Sequence, residues 1–334
     1  MVEVFGEPLR DAGDDPEPHR DPSRALWRRW FEAMLEGDTD RAWAISDAVL
    51  ARRDPATRDD ARQPFHVRWV WDGRPFDGRD VLVRCYHGLG DTLQFARFLP
   101  RLRARARSVR VEVQPGLIPL LRGLDDIEAI PFRRESPLPP SDCDIECMEL
   151  AHALRARASS APPPYLVAPR GSVERMRSVA GAPGRPRVGL CWRGGDWSDG
   201  RSLALTELTR SLPDGVAVIN LQGDDGADEA RASGLPFLNS APLDVADAAA
   251  AIALCDRVVS VDTMIAHLAG ALGRPLSLLL PGDCDWRWSR AGDRSPWYPS
   301  ARLYRQETQG DWRAPLARLA SDLAAALGRS PSRA

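Results

Sequence analysis

The sequence contains no lysine; all 45 of its basic residues are arginine. That absence excludes Schiff-base and lysine–phosphate chemistry, so any cationic side chain that meets a phosphate here must be an arginine. A net charge of one sign is lacking too. With 47 acidic residues the formal charge is −2, which leaves no overall basic field to hold nucleic acid or an anionic membrane. No run approaches the ~18 apolar residues of a membrane span. Residues 1–24 are acidic and proline-rich without an apolar centre, which is not the pattern of a secretory signal. Cysteines are few: Cys85, Cys143, Cys147, Cys191, Cys255 and Cys284. Only Cys143 and Cys147 lie close together, and they lack the second pair that a zinc site wants. Several of the others sit in apolar runs, where cysteine is a small buried hydrophobe, so reduced thiols and a cytoplasmic location are expected.

The 334 residues are enough for two domains of ~150 each. Residues 1–22 read as a flexible tail. Trp27, Trp30, Phe31, Met34 and Leu35 then recur with a helical period, with Ser23 as N-cap and Gly37 as stop. A second helix is expected from Thr39 to about Arg52, burying Ala42, Ile45 and Val49. The pair resembles one tetratricopeptide-like hairpin, but no second copy follows, so 23–78 is read as a helical cap. From Val81 the texture alternates between strand and helix. Strands are expected at Val81–Tyr86, Val109–Gln114, Ile127–Phe132 and Asp142–Met148. After the proline-rich stretches Ser159–Pro164 and Gly181–Pro186, further strands are expected at Val188–Trp192, Val216–Leu221, Val258–Val261, Leu276–Leu280 and Leu303–Arg305. Helices are expected at Leu93–Arg103, Val245–Cys255, Met264–Leu272 and from Trp312 to about Leu327. The fold class is therefore α/β, with two Rossmann-like domains at 79–180 and 181–330 and a cleft between them.

Two segments carry candidate chemistry. In Gly88-Leu89-Gly90-Asp91-Thr92 the glycines allow a tight turn before a helix start, where an anion is favoured. The third glycine of a dinucleotide fingerprint is absent, although Glu112 stands 22 residues beyond Gly90, where a ribose-binding acid would lie. An NAD-dependent oxidoreductase thus remains open, as does simple solvent exposure of Glu112. Asp91 is read either as the helix N-cap or as a general base at a strand's carboxyl end. In the second segment a buried strand delivers Asp262 and Thr263 to the mouth of a helix, and Thr263 and His267 share one helical face. Such a group suits a pyrophosphate, and equally a capped helix with a satisfied histidine.

Gly90-Asp91-Thr92 with Phe98-Leu99-Pro100, and Ser260-Val261-Asp262-Thr263 with His267, resemble glycosyltransferase family 9, the family of the ADP-heptose:lipopolysaccharide heptosyltransferases. Arg84 to Asp91, Asp285-Trp286-Arg287-Trp288 and Ser295-Pro296-Trp297-Tyr298-Pro299 resemble its relatives with tetratricopeptide-like N-termini. The resemblance spans roughly residues 65 to 325. It implies a GT-B fold and an inverting, metal-independent hexosyl- or heptosyl-transferase that needs no cofactor beyond its nucleoside diphosphate sugar donor. It implies Asp91 as base and Arg201 as the donor-phosphate cation. Gly88, Gly90, Trp192, Arg193, Gln222, Gly223, Asp225, Asp262, Thr263, Met264 and His267 complete the implied donor set. Met264 departs from the glycine usual in heptosyltransferases, which puts the heptose in question. The acceptor, whether glycan, lipid-linked saccharide or protein, is left open, as is a protein partner for the N-terminal helices. A catalytically inactive nucleotide-binding or interaction module of the same fold is the alternative.

Two further patterns have competing readings. Asp142-Cys143-Asp144 and Asp283-Cys284-Asp285 could be metal-binding triplets or acidic turns. Trp286, Trp288, Trp297 and Tyr298 could contact a sugar or anchor a long loop.

Overall fold

Val81, Leu82 and Val83 are consecutive and all buried, as a parallel strand covered on both faces requires. The same holds for Val258 and Val259, and for Leu278, Leu279 and Leu280. In the computed structural model, which describes residues 22–180, 184–195, 199–223, 226–239 and 243–328, these runs are strands of two separate parallel sheets. The expected tail at 1–22 lies almost wholly outside the described residues. The chain divides into two units. The first comprises the residues up to Ala161 together with Asp285–Arg290, and the second holds Pro162–Cys284 and the residues from Ala291 onward.

The first unit opens with helices α1 (Pro22–Leu35) and α2 (Thr39–Leu50). The turn between them uses Gly37 at φ +75°, a left-handed conformation that favours glycine, and Asp38 caps α2 by accepting the Arg41 N–H. Ser23, expected as a cap, falls inside α1. The sheet contains β1 (Asp80–Arg84), β2 (Ser108–Val113), β3 (Ile127–Pro131) and β4 (Cys143–Glu146), in the order β3-β2-β1-β4. Helix α3 (Leu89–Phe95) follows β1 and starts four residues earlier than expected. It passes through a 3-10 turn, Ala96–Phe98, before a last helical turn at Leu99–Arg103. Pro100 has no N–H to donate to the preceding turn, which accounts for the break.

The second unit contains α4 (Arg170–Ala180), β5 (Arg187–Cys191), β6 (Ala217–Asn220), α5 (Val245–Leu254), β7 (Arg257–Val261), α6 (Met264–Ala271), β8 (Leu276–Leu280), β9 (Ala301–Arg305) and α7 (Arg313–Leu327). Its sheet order is β6-β5-β7-β8-β9. Two segments sit differently from the expected division at 180/181. Residues 162–180 belong to the second unit: the Tyr165 N–H donates to the Ala271 carbonyl at 3.1 Å, and Arg175 on α4 pairs with Asp247 on α5 at 2.6 Å. Asp285–Arg290 belongs to the first unit although it lies between β8 and β9 in sequence. Among the described residues no helix is long and apolar enough to cross a membrane.

The first sheet is tied by a buried ion network. Arg84 and Glu112 are cross-strand partners on β1 and β2, each 1% exposed, and their charges meet at 2.6 Å. Arg84 also pairs with Asp144 of β4 at 2.7 Å, and Glu112 accepts the Leu138 N–H at 2.6 Å. Removing one member leaves buried charge uncompensated, which costs about 3–5 kcal/mol. Replacing Arg84 by Met should therefore lower the unfolding free energy by about that amount in urea titrations, and a loss below about 1 kcal/mol would contradict the network's role.

Candidate functional site

In an open parallel sheet, ligands bind beyond the carboxyl ends of the strands, where the strand order reverses. In the first unit that point lies between β1 and β4, and in the second between β5 and β7. Among the described residues, most of the sequence-derived site residues fall in the segments that leave these strands, or close behind them, whereas Gln222 and Gly223 follow β6.

Beyond β1, Gly88 is the N-cap of α3 at φ −68° and ψ 162°, and Gly90 lies inside the first helical turn. Neither adopts a left-handed φ, so the expected glycine turn is not what selects them. At Gly88 a Cβ would stand 3.2 Å from Asp91 Oδ2, a tighter contact than usual. Asp91 is not the N-cap. It is the third helical residue, and its Oδ2 accepts the Gly88 N–H at 3.1 Å. Its Oδ1 pairs with Arg287 Nη2 at 2.5 Å. The loop before α3 is braced by Gln114, whose Nε2 donates to the His87 carbonyl at 2.6 Å while its Oε1 accepts from Thr92 at 3.0 Å.

Across the switch point stands Glu146, at the end of β4 and buried. Its carboxyl accepts the Met148 N–H at 2.7 Å and the Cys147 thiol at 3.3 Å, and His87 Nε2 lies 3.9 Å away. Burial pushes the Glu146 carboxyl above its ordinary range. Burial, aided by a hydrogen bond with the Cys85 thiol, likewise pushes Cys147 up.

Glu112 is neither solvent-exposed nor available to a ribose. Both of its oxygens are engaged, by Arg84 and by the Leu138 N–H, which removes the residue that kept the NAD reading open.

In the second unit, α6 starts at the end of β7, with Thr263 as N-cap accepting the Ile265 N–H at 3.2 Å. Asp262 is buried, whereas Thr263 and Met264 are half-buried. Buried His267 holds Tyr298 through Nδ1 at 3.0 Å. Gly270 makes this contact possible, because a Cβ there would meet the Tyr298 ring at 2.3 Å. Arg201 is buried and donates to the carbonyls of Asp262 at 2.8 Å and Gly195 at 3.2 Å, so its charge sits against the turn that opens α6.

Two of the expected donor residues are tied into the fold by their side chains. Trp192 is fully buried, stacked near Phe237, with its indole N–H donated to Glu229 at 2.8 Å. Gln222 is buried, and its Oε1 accepts the N–H groups of Trp192 at 3.0 Å and Arg193 at 2.8 Å, tying the ends of β5 and β6 together. Arg193 and Gly223 are exposed, and Asp225 lies outside the described residues.

Trp286, Trp288, Trp297 and Tyr298 are all buried, which favours their anchoring role over a sugar contact. In the acidic triplets Asp142 pairs with Arg107 at 2.9 Å, Asp144 with Arg84 and Asp285 with Arg287. Sequence reasoning missed Arg287 and Glu146 as site residues. The Asp285–Trp288 motif was visible, but nothing in it points to Asp91, 196 residues earlier.

No family model matches the chain. Among curated proteins it is 26% identical over 318 residues to protein FlbA of Caulobacter vibrioides, a match covering 83% of this chain and 51% of FlbA. The chain thus spans about half the length of that relative. Among solved structures it is similar to a glycosyltransferase family 9 protein of Veillonella parvula, with a TM-score of 0.60 and 10% identity over 76% of this chain and 98% of that one. Escherichia coli ADP-heptose lipopolysaccharide heptosyltransferase II gives a TM-score of 0.55 and 18% identity, covering 74% of this chain and 98% of that one. TibC of enterotoxigenic E. coli, described as an iron-containing dodecameric glycosyltransferase, gives 0.52 and 14%, covering 76% and 77%. The chain therefore has the heptosyltransferase-like α/β fold of family 9 glycosyltransferases.

The buried carboxyl at the first switch point yields a pH test. Glu146 has a folded pKa above its ordinary value of 4.5, so the folded state binds its proton more tightly than the unfolded state does. Its stabilising contribution is complete below that ordinary value and is lost as pH rises through the raised one. Glu146→Gln should therefore gain stability relative to the parent in urea titrations as pH rises above that ordinary value. Parallel pH–stability curves would contradict the assignment.

Proposed function

We propose that the chain transfers a sugar from a nucleoside diphosphate sugar to an acceptor hydroxyl, with inversion and without a metal ion. Arg201 and the start of α6 take the donor, and Asp91 is the base. The observation that carries the donor assignment is the turn 262–264. There the N-terminal end of α6 and the buried Arg201 charge stand together at the switch point of a family 9 fold. A helix start and a guanidinium both favour a diphosphate, and together they supply the positive charge that a departing diphosphate requires. The structural relatives include heptosyltransferases, and one is named for the ADP-heptose it uses, which supports this donor class.

In the proposed step the acceptor oxygen attacks the anomeric carbon while its proton passes to the Asp91 carboxylate. The bond between that carbon and the diphosphate oxygen breaks, and the diphosphate leaves with the electron pair, its charge met by Arg201 and the α6 start. Half-buried Met264, the first residue of α6, is the side chain we expect to select among donor sugars.

A thermal-unfolding panel with ADP, GDP, UDP and NAD tests the donor class. One nucleoside diphosphate held at 100 times its dissociation constant should stabilise the chain by about 2.7 kcal/mol, and NAD should not. Replacing Arg201 by Ala should weaken that nucleotide's binding by about 1.5–3 kcal/mol, and unchanged affinity would remove Arg201 from the donor site. Asp91→Asn should leave nucleotide binding unchanged and slow turnover by about 10²–10⁴-fold. Nucleotide binding without turnover of any nucleotide sugar would favour an inactive module of the same fold.

A further inference from the structure

The strap Asp285–Arg290 leaves the sequence between β8 and β9 and folds into the first unit, where it faces two elements. Toward α3, Arg287 Nη2 meets Asp91 Oδ1 at 2.5 Å, and Nε donates to Gln94 Oε1 at 2.8 Å. One guanidinium thus grips two residues a helical turn apart. The pair is largely out of water, with the Arg287 side chain 10% exposed and that of Asp91 25%.

Toward α1, Trp286 meets Trp30 edge-on with ring centroids 5.2 Å apart. The Leu35 carbonyl at the end of α1 accepts the Arg290 N–H at 3.1 Å and the Ser289 hydroxyl at 3.4 Å. Within the strap, the Arg287 guanidinium lies 4.3 Å over the Trp286 ring and pairs with Asp285 at 2.8 Å. Ser289 takes φ +63°, a backbone conformation that non-glycine residues rarely adopt and that surrounding contacts must impose. Contacts therefore run without a break from the N-terminal hairpin through the strap to Asp91.

We propose that Arg287 is a positioning residue for Asp91, and that the α1–α2 hairpin anchors the strap that carries it. The inference rests on the reading of Asp91 as the base. A carboxylate offers about four lone-pair sites. The Gly88 N–H holds Oδ2 and Arg287 holds Oδ1, which fixes the carboxylate plane and leaves the other lone pairs for the acceptor proton. The N-terminal helices thereby acquire a catalytic consequence without touching substrate.

The test uses the full chain with Arg287→Gln, Arg287→Lys, Trp30→Ala and Asp91→Asn. Three quantities are read for each: thermal unfolding, dissociation constants for ADP, GDP and UDP, and the rate of nucleoside diphosphate release from ADP-, GDP- and UDP-sugars with water as acceptor. Arg287→Gln should lose about 10²-fold in kcat, the cost of a misplaced reacting group, with nucleotide affinity and donor KM unchanged. Arg287→Lys should recover part of the loss, and Trp30→Ala should lower kcat by less. If Asp91→Asn is slow while Arg287→Gln and Trp30→Ala match the parent, the proposal is overturned and the base reading stands. If Asp91→Asn matches the parent, or the parent turns over no donor, the base reading fails and the proposal with it. If the Arg287 and Trp30 variants lose rate only in proportion to folded protein, regaining it on cooling, their role is structural and the proposal is overturned.

Discussion

A parallel strand cannot be joined to its neighbour by a tight turn, so the chain must cross over and return to the same end of the sheet each time. That constraint collects the carboxyl ends of all strands of a sheet along one side. In this protein it does so twice, with orders β3-β2-β1-β4 and β6-β5-β7-β8-β9. Each reversal of order leaves two segments diverging to opposite faces and opens room between them. Residues 85–91 and 147–148 border the first such place, and residues 192–195 and 262–264 the second. Candidate chemistry follows from topology before any side chain is considered.

The lack of lysine shapes how these places are built. Three buried arginines, Arg84, Arg201 and Arg287, each serve as a multi-contact joint. Arg84 bridges β1 to β2 and β4, Arg201 joins the turn after β5 to the start of α6, and Arg287 joins the strap to α3. A planar guanidinium presents donors in several fixed directions at once, which an ammonium cannot reproduce. Exchange for lysine at these positions would keep the charge and only part of the joint.

The strand pattern was legible because strands buried on both faces read as unbroken apolar runs, and Leu276–Leu280 matches to the residue. The segments carrying Asp91 and Asp262–His267 were legible because strand, turn and helix signals follow one another closely in sequence. Three features were not. Trp192 and Gln222 carry site-like chemistry at a site-like position, yet burial turns both into braces, and burial depends on partners such as Glu229 that lie far along the chain. Glu112 looked exposed between two valines, but its cross-strand partner is an arginine rather than water. Arg287 depends on a long-range return of the chain that no local period encodes.

The proposed glycosyl transfer is a direct displacement at the anomeric carbon. Proton NMR of the sugar released from the bound donor, followed from the first minutes before mutarotation scrambles it, reads both turnover and stereochemistry. The parent should release the anomer opposite to that of the donor, and Asp91→Asn should be slow. Release of the same anomer, or equal rates from parent and variant, would contradict it.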